Sequence, residues 1–322
     1  MRNIWAWSGK LTLFWIVALL FNLTVFSQLS LRKAVDFDND GKADFSVFRP
    51  AGNIWFIAKT GGGLVVTPFG SASQDYITPG DYDGDGRADI AVWRDTDGNF
   101  YWIRSSDGVF VTFHWGQSGD EPVARKYDND SRTDPAIVRR TNGQMFWYKY
   151  LTNTGAVNVA QWGLSTDIVT PGDYDGDGIF DYAIQRPGST PTSQATFFVL
   201  NSSNNAVAVT AWGITSDLVV TGDYDNDGKT DYAVVREGTT PTSNLVWYII
   251  NSLTGTISVT TWGLTGTDIN VQNDYDGDGK TDIAVWRETD GNFYWIRSSD
   301  GVPNVLHWGQ ANDYPIASYD TH

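Results

Sequence analysis

The sequence predicts an all-β fold, a β-propeller of four-stranded blades with six blades favoured and seven as the alternative. Three observations predict it. An Asp-rich segment recurs along the chain at intervals of 45 to 51 residues, a period typical of propellers and solenoids. Glycine (33 residues) and aromatic residues (14%) are abundant, and this mixture of turn formers and large apolar side chains favours strands. Beyond residue 30 there is no sustained helical period.

Each repeat contains the pattern of four short strands. In the second repeat the predicted strands are 88–94, 100–104, 109–115 and 121–127, the last of which leads into the next Asp-rich segment. The pairs Asp97-Gly98 and Asp107-Gly108 stand between strands and are strong hairpin signals. Four-stranded units repeated at this spacing are the blades of a propeller.

Two terminal segments compete for one strand position. Residues 314–320 repeat the strand that precedes each Asp-rich segment, and residues 31–38 are of the same kind. One of them is surplus to a ring of six blades. We expect six blades with the C-terminal segment helping to close the ring, and a seventh, incomplete blade is the alternative.

The N-terminal segment, residues 1–27, is predicted to be a signal peptide. Arg2 and Lys10 precede an apolar run over 11–26, which is short of the roughly 20 residues that a membrane span needs. Cleavage is expected before Gln28, and an uncleaved anchor is the alternative. Residues 28–322 then form a single propeller domain, secreted or at the cell surface, with no membrane insertion after cleavage.

Composition excludes several classes of function. The 38 acidic residues outnumber the 22 basic ones and give a net charge of −16, which excludes nucleic-acid binding through a basic face. Cysteine is absent, so disulfides, thiol catalysis and zinc-thiolate sites are excluded. Three histidines are too few for a His-rich metal centre, and His114 and His307 occupy the same repeat position, which indicates an architectural role.

The Asp-rich segments carry the strongest chemical signal. The pattern D-x-D-x-D-G-x-x-D places carboxylates at positions 1, 3, 5 and 9, and Ca²⁺ takes 6–8 oxygen ligands. Glycine at position 6 allows a sharp turn, and the backbone carbonyl at position 7 is a further ligand. We predict about five Ca²⁺ sites. The expected ligands are Asp36, Asp38, Asp40, Lys42 and Asp44; Asp81, Asp83, Asp85, Arg87 and Asp89; Asp173, Asp175, Asp177, Ile179 and Asp181; Asp223, Asp225, Asp227, Lys229 and Asp231; and Asp274, Asp276, Asp278, Lys280 and Asp282.

The third segment departs from this pattern, with Lys126 at position 1 and Ser131 at position 6. Its ammonium is expected to take the place of the metal, so this site is predicted to be empty or weak. Solvated acidic turns are the alternative for the other five, but four carboxylates within a few ångströms repel strongly without a cation. We interpret the sites as structural staples rather than switches, because they lack the closing Glu and the paired helices of an EF-hand.

The Asp-rich segment and the strand after it resemble the FG-GAP/VCBS repeat, which is shared by the integrin α-subunit propeller and many bacterial secreted proteins. Phe69-Gly70 and five Trp-Gly pairs, at Trp115, Trp162, Trp212, Trp262 and Trp308, occupy similar places in their repeats. The resemblance covers about residues 31–320. It implies an extracellular, calcium-stabilised propeller of the kind used for adhesion or glycan recognition.

Three further rings of side chains emerge when the repeats are aligned. An Arg stands thirteen residues after each segment start: Arg49, Arg94, Arg139, Arg186, Arg236 and Arg287. An Asp follows each Phe-Gly or Trp-Gly pair: Asp75, Asp120, Asp167, Asp217, Asp268 and Asp313. Bidentate pairs joining neighbouring blades are expected, with a ring of arginines gripping an anionic ligand as the alternative. The aromatic residues Trp55, Tyr101, Trp147, Phe198, Trp247 and Tyr294 are expected to pack between blades, with sugar binding as the alternative.

These features predict a calcium-binding extracellular recognition module, with glycan binding as the leading hypothesis. Protein adhesion is the alternative, and a carbohydrate-active enzyme such as a polysaccharide lyase is the third possibility. The Ser/Thr/Pro-rich insertions at 187–195 and 237–245 are candidate specificity loops. No catalytic residue and no cofactor besides calcium is predicted. The expected partner is an extracellular glycan or a surface protein, and the oligomeric state stays open.

Overall fold

A computed structural model describes residues 34–317, which form six four-stranded antiparallel sheets, each of them one blade. The predicted signal peptide and the last five residues lie outside the described residues. The all-β prediction and the six-bladed count are confirmed, and the seven-bladed alternative is wrong. Within residues 34–317 no helix is long and apolar enough to cross a membrane.

The strands of each blade follow one another along the chain, except in blade 1. Blade 1 contains β1 (Phe45–Arg49), β2 (Ile54–Ala58) and β3 (Leu64–Pro68); blade 2, β4 (Asp75–Ile77), β5 (Ile90–Arg94), β6 (Asn99–Ile103) and β7 (Phe110–His114); blade 3, β8 (Glu121–Pro122), β9 (Ala136–Thr141), β10 (Gln144–Leu151) and β11 (Ala156–Leu164); blade 4, β12 (Ile168–Val169), β13 (Tyr182–Arg186), β14 (Gln194–Leu200) and β15 (Val207–Ile214); blade 5, β16 (Leu218–Val219), β17 (Tyr232–Arg236), β18 (Asn244–Ile250) and β19 (Ile257–Leu264); blade 6, β20 (Asp268–Asn270), β21 (Ile283–Arg287), β22 (Asn292–Ile296) and β23 (Pro303–His307). The remaining strand, β24 (Tyr314–Pro315), belongs to blade 1 as its first strand.

Burial follows the order of strands within each blade. The second strands are buried on both faces, as in β5, whereas the fourth strands alternate between exposed and half-buried residues, as in β7. The fourth strands therefore form the outer rim of the ring, and the second and third strands carry the core between blades. The three strands predicted within the second repeat, from residue 88 onward, are confirmed to within a few residues of their ends.

Both chain ends contribute to the first strand position of blade 1. Phe48 pairs with Tyr314, and the backbone N–H of Ile316 donates to Ser46 O at 2.8 Å. Further along the same position, Asp44 N donates to Val35 O at 2.9 Å. The C-terminal segment thus supplies the strand and the N-terminal segment continues it, which is why the sequence shows two candidates for one place.

The tryptophans of the Trp-Gly pairs link neighbouring blades. Each indole N–H donates to a carbonyl on the third strand of the next blade: Trp115 to Tyr148 (3.2 Å), Trp162 to Phe198 (3.2 Å), Trp212 to Tyr248 (3.3 Å), Trp262 to Tyr294 (3.1 Å) and Trp308 to Phe56 (3.2 Å). Blade 1 has Phe69 at this position. Because phenylalanine has no side-chain donor, the junction between blades 1 and 2 is built without this bond.

The third strands carry two sets of aromatic residues, and each set forms a ring around the propeller. The single set predicted from the sequence contains members of both. One ring is fully buried and consists of Trp55, Phe100, Trp147, Phe197, Trp247 and Phe293. The other consists of Phe56, Tyr101, Tyr148, Phe198, Tyr248 and Tyr294, which lie on the opposite face. The prediction placed Tyr101, Phe198 and Tyr294 with the buried set. Adjacent aromatic residues point to opposite faces of a strand, so an offset of one residue changes the ring.

Candidate functional site

The Asp-rich loops lie together at one end of the ring, called the loop end below. Each loop precedes the second strand of its blade, as residues 81–89 precede β5. At position 1, the carboxylate of Asp81 accepts backbone N–H groups from Gly84 (2.6 Å) and Gly86 (2.9 Å). Both glycines have φ near +90°, so the loop needs residues that tolerate left-handed backbone at positions 4 and 6. The same pattern surrounds Asp36, Asp173, Asp223 and Asp274.

The loops bring carboxylates close enough to share one cation. Among residues 34–317, six groups have three carboxylate oxygens within 4.8 Å of one another, and one of them, Asp128, Asp130 and Asp134, lies in the third loop. The others include Asp36, Asp38 and Asp40; Asp81, Asp83 and Asp85; Asp173, Asp175 and Asp181; and Asp223, Asp225 and Asp231. These clusters could hold metal ions. At position 7, the N–H groups of Lys42, Arg87, Ile179, Lys229 and Lys280 donate to the position 5 carboxylate, and the predicted role of their carbonyls stays a prediction.

A hydroxyl residue from the hairpin between the third and fourth strands completes each loop, and sequence reasoning missed it. The carboxylate of Asp89, at position 9, accepts N–H groups from Tyr82 (2.9 Å) and Ser105 (2.7 Å). The Ser105 hydroxyl donates to Asp85 at 2.9 Å. The equivalent residues are Thr60, Thr152, Ser202, Ser252 and Ser298. The available signal was a Ser or Thr recurring 16 to 21 residues after position 9.

Burial makes these carboxylates difficult to ionise without a cation. Removal from water, reinforced by the nearby Asp83 charge, raises the pKa of Asp89 to about 7 from an ordinary 3.8. Burial likewise raises the pKa of Asp173 to about 7, although the N–H groups of its own loop favour the charged form. In the first loop, Asp38 Oδ1 is buried with no hydrogen-bond partner among the described residues. An all-oxygen donor set of this kind fits a hard cation.

The third loop uses its lysine differently from the prediction. Lys126 Nζ donates to the carbonyl of Gly178, at 2.6 Å, across the junction to blade 4. Burial lowers the pKa of Lys126, while the charge of Asp128 raises it. In the same blade the buried Lys149 lies over the rings of Tyr127 and Tyr182, at 4.6 and 4.0 Å. Whether this loop holds no metal or holds it weakly stays a prediction.

Backbone hydrogen bonds join the six loops into one ring. In each case the N–H at position 8 donates to the carbonyl at position 1 of the preceding loop: Ala88 to Asp36 (2.7 Å), Thr133 to Asp81 (2.6 Å), Phe180 to Lys126 (2.9 Å), Thr230 to Asp173 (2.6 Å), Thr281 to Asp223 (2.7 Å) and Ala43 to Asp274 (2.8 Å). Position 8 is adjacent to the carboxylate at position 9. Each loop is therefore positioned by its neighbour.

The arginines lie at the opposite end of the ring, called the arginine end below, and each forms a two-point salt bridge. The pairs are Arg49–Asp313, Arg94–Asp75, Arg139–Asp120, Arg186–Asp167, Arg236–Asp217 and Arg287–Asp268. The prediction of pairs between neighbouring blades is wrong. Each pair joins the first and second strand positions of a single blade, because the Asp after Trp-Gly already belongs to the next blade.

Each of these carboxylates also holds the segment that crosses over from the preceding blade. Asp75 accepts a hydrogen bond from Ser71 N at 2.7 Å, and Asp120 accepts one from Gln117 N at 2.9 Å. In each blade the guanidinium also lies over an aromatic side chain of the second set, 4.2 to 4.8 Å from the centre of that side chain's ring. These side chains are Phe56, Tyr101, Tyr148, Phe198, Tyr248 and Tyr294. Carboxylate and aromatic partners within the same blade therefore engage each arginine, which favours the structural interpretation over an anion-binding ring.

The remaining sequence candidates also lie at the arginine end. His114 and His307 have equal surroundings, with Nδ1 at 2.9 Å from an oxygen of Asn99 and Asn292. The insertions 187–195 and 237–245 form hairpins between second and third strands. In the first of them Gly188 N donates to Thr215 Oγ1 at 2.7 Å, and Gly238 N in the second donates to Thr265 Oγ1 at 2.8 Å. Their role in specificity stays a prediction.

Two cavities lie between blades 1 and 2. The one at the arginine end has a volume of about 270 Å³ and is lined by Phe48, Ser71, Ala72, Asp75, Tyr76, Ile77, Val92 and Tyr314. The one at the loop end has a volume of about 210 Å³ and is lined by apolar side chains, by the hydroxyl residues Thr67 and Ser105, and by three cationic side chains. Both cavities lie at the junction of blades 1 and 2, where Phe69 stands at the position that a tryptophan occupies in the other blades.

The fold and the loops define a six-bladed propeller built from repeated Asp-rich loops. Residues 36–92 match the FG-GAP-like repeat family, and the same loop position recurs in the other blades. The match and the recurring loops support an FG-GAP-like repeat propeller, with the family match itself confined to residues 36–92. No curated protein sequence matches it.

Solved structures share the architecture at low sequence identity. A lectin of Agrocybe aegerita, described as recognising non-reducing terminal N-acetylglucosamine, is 14% identical with a TM-score of 0.52, covering 84% of this chain and 91% of the lectin. A triple arginine-to-alanine mutant of AofleA from Arthrobotrys oligospora is 9% identical with a TM-score of 0.52, covering 90% and 91%. At these identities the similarity shows the fold alone.

Proposed function

We propose that this chain is a secreted, calcium-binding recognition module that binds a glycan at its arginine end and catalyses no reaction. The observation that carries the glycan proposal is the arginine-end cavity. Calcium and glycan occupy opposite ends of the ring in this proposal, so calcium maintains the fold and takes no part in contacting the sugar.

The cavity at the arginine end combines the surfaces that sugars use. Tyr314 is half exposed at its mouth, with Tyr76 and Phe48 supplying further aromatic surface. Ser71 supplies a polar group beside them. Aromatic faces pack against the apolar face of a sugar ring, while a few polar groups fix its orientation. A volume of about 270 Å³ suits one terminal sugar residue rather than an extended chain.

Calcium is the cation that best fits the loops. The candidate ligands are oxygens only, several are buried, and three carboxylates in each cluster exceed what the small octahedral Mg²⁺ ion requires. A bound cation would favour the ionised form of carboxylates such as Asp89, whose pKa burial raises to about 7. The proposal places about five Ca²⁺ ions at the complete loops, with little or no binding at the third.

A glycan array tests the proposal directly. Protein lacking residues 1–27 is probed with calcium and again with chelator, with terminal N-acetylglucosamine included because the similar lectin recognises it. Hits that share one terminal sugar are expected. Tyr314→Ser should abolish them, and Phe110→Ser, which changes an exposed aromatic of the outer rim (58% exposed), should leave them intact. Absence of hits from demonstrably folded protein would overturn glycan binding.

Protein adhesion is the second candidate, and the outer rim favours it. The fourth strands expose apolar side chains, including Leu64 and Val66 in blade 1, Val157 and Val159 in blade 3. Protein contacts use exposed apolar surface of this kind where it is contiguous. If the array is negative, a pull-down from cell-surface extracts is the next experiment.

The proposal of secretion has its own test. Expressed with its N-terminal segment in an exporting host, the protein should appear in the medium with Gln28 as its first residue. N-terminal sequencing gives the answer. Intact protein that retains residues 1–27 in the membrane fraction would support the anchor alternative instead.

A further inference from the structure

We propose that the loop-end cavity between blades 1 and 2 is a second binding site, which takes a small amphiphile with an apolar body and a single carboxylate, such as a medium-chain fatty acid. The site is separate from the proposed glycan site and does not depend on it. Three features carry the proposal: the origin of the cavity, its apolar walls and the cationic side chains at its mouth.

The cavity exists because the junction of blades 1 and 2 has smaller, non-aromatic side chains at two positions where the junction of blades 2 and 3 has aromatic ones. Strand register makes Ile57 equivalent to Trp102, and Thr67 equivalent to Phe113. At the junction of blades 2 and 3, Trp102 stacks on Tyr82 with ring centres 5.0 Å apart. Phe113 packs there on another aromatic ring at 4.7 Å. The same space at the junction of blades 1 and 2 is left open.

The walls of the cavity are aliphatic. Ile57, Ile90 and Ile103 form them together with Val65, and Phe37 closes one side. Ile57 is fully buried, so the apolar surface extends into the core rather than lying on a flat face. A hydrocarbon body that enters this space removes apolar surface from water on both molecules, which is the driving force for binding in such a cavity.

The mouth carries three cationic side chains, Lys59, Arg87 and Arg104, on a protein whose net charge is −16. Arg87 contacts Asp85 and Arg104 contacts Asp107. The charges of Asp83 and Asp89 act on both arginines as well. With acidic groups this close, a head group with one negative charge fits the three cations better than a phosphate with two.

The two arginines keep donors for such a head group. Each uses Nε and Nη2 for its aspartate, as the contacts within residues 34–317 show. A guanidinium has five N–H donors, so the Nη1 group of each arginine is still available to a ligand. A carboxylate at the mouth would therefore accept charge-assisted hydrogen bonds while its chain lies against the isoleucines.

Isothermal titration calorimetry of the purified protein in calcium tests the proposal. Octanoate is compared with acetate, which has the head group alone, and with 1-octanol, which has the chain alone. We expect binding of octanoate at one site, with affinity at least about tenfold above that of 1-octanol, because loss of a charge-assisted hydrogen bond is worth about that factor. Its affinity should exceed that of acetate by at least as much, because acetate has no chain to bury against the isoleucines. No heat from octanoate, or equal affinity for 1-octanol, would overturn the proposal.

Variants locate the site. Thr67→Phe copies the residue of the next blade into the cavity and should abolish binding of octanoate. Val66→Phe is the matched control, because its side chain is 49% exposed on the other face of β3, and it should bind normally. Lys59→Met keeps the length of the side chain and should weaken octanoate about tenfold without changing 1-octanol. Normal binding of octanoate by Thr67→Phe, or by Lys59→Met should the first variant not fold, would place the site elsewhere.

Discussion

Replacing Asp313 by Asn should loosen the closure of the ring, whereas the identical change at Asp217 should weaken only its own blade. Asp313 accepts two hydrogen bonds from Arg49, at 2.8 and 2.9 Å, and Asp217 accepts two from Arg236 at the same distances. Each also accepts one backbone N–H from the crossover before it. The two variants thus lose equal local contacts, but only Asp313 lies on the segment that joins the chain ends.

The local loss follows from these contacts. A hydrogen bond to a charged group contributes about 1.5–3 kcal/mol to stability. The Arg49 side chain is 24% exposed, so water replaces part of the interaction, and Asn keeps one acceptor. We therefore expect either variant to lower the free energy of unfolding by about 2 kcal/mol.

The loss of this salt bridge destabilises the C-terminal segment more than it destabilises the rest of the ring. It is held by the short pairing of β24 with β1, by one hydrogen bond from Ile316 N to Ser46 O, and by burial of the Ile316 side chain. Burial of that side chain contributes about 2 kcal/mol and each bond about 1 kcal/mol, against an ordering cost of about 1–2 kcal/mol per residue. Without the salt bridge the two sides nearly cancel, so the salt bridge itself keeps this segment closed. Its loss, about 2 kcal/mol, should raise the equilibrium constant for local opening about thirtyfold.

Hydrogen exchange followed by mass spectrometry, beside urea unfolding, separates the local effect from the global one. The Ile316 amide should exchange more than about tenfold faster in Asp313→Asn, because the open fraction levels off near one half, and at the wild-type rate in Asp217→Asn. Urea unfolding should show comparable losses for both variants. An unchanged rate at Ile316 in Asp313→Asn, or an equal rise in both variants, would refute the argument that this salt bridge closes the ring.

Four further outcomes are expected. Chelation of calcium should lower the Tm, because an ion that binds only the folded state stabilises it. Thermal scans with calcium, magnesium or chelator measure this effect. An unchanged Tm would contradict the interpretation of the sites as structural staples. In chelator, the Tm should be higher at about pH 5 than at about pH 8. Asp89 has a pKa of about 7 in the folded protein against an ordinary 3.8. Such a carboxyl contributes stability that is fully present below its unfolded pKa and is lost as the pH rises through its folded pKa. Saturating calcium should reverse this trend, since protons compete with the metal. Trp115→Phe should cost about 1 kcal/mol in urea unfolding, because it leaves the Tyr148 carbonyl without its indole donor. The double variant Lys126→Asp, Ser131→Gly should add one calcium ion to the stoichiometry measured by calorimetry, and an unchanged stoichiometry would contradict the ligand assignment.

The period and the loop pattern were sufficient to predict the fold, whereas strand register was beyond the sequence. Four-stranded blades and hairpins follow from spacing and turn residues alone, whereas the choice of six blades over seven is decided by the pairing of β24 with β1. The pairs of adjacent aromatic residues in the third strands, such as Phe100 and Tyr101, give no indication of which one faces the neighbouring blade. Only the pairing with the second strand decides it, because a shift of one residue exchanges the two faces.

The candidate site was predictable where its residues are close in sequence. Three carboxylates of each named cluster come together because one tight loop carries them, at positions 1, 3 and 5 in some loops, at 1, 3 and 9 in others and at 3, 5 and 9 in the third loop. Ser105 reaches the same loop from a hairpin 16 residues later, and only the folded blade brings it there. The alignment of the repeats identified the aspartates that pair with the arginines, because it gives the spacing of each Asp. It does not show on which side of the crossover each Asp lies, so the blade to which the Asp belongs was predicted wrongly.

Lys126 shows how the ring tolerates a loop that has lost its first ligand. At position 1 two different groups do two different tasks: the side-chain carboxylate organises the loop, and the backbone carbonyl accepts the N–H of the next loop. Lys126 lacks the carboxylate, yet its carbonyl accepts Phe180 N at 2.9 Å, as Asp81 O accepts Thr133 N at 2.6 Å. Its ammonium adds a second contact to blade 4 through Gly178 O. The continuity of the ring depends on backbone groups that any residue supplies, whereas the carboxylates that could hold a cation are side chains. One loop can therefore lose a carboxylate without opening the ring.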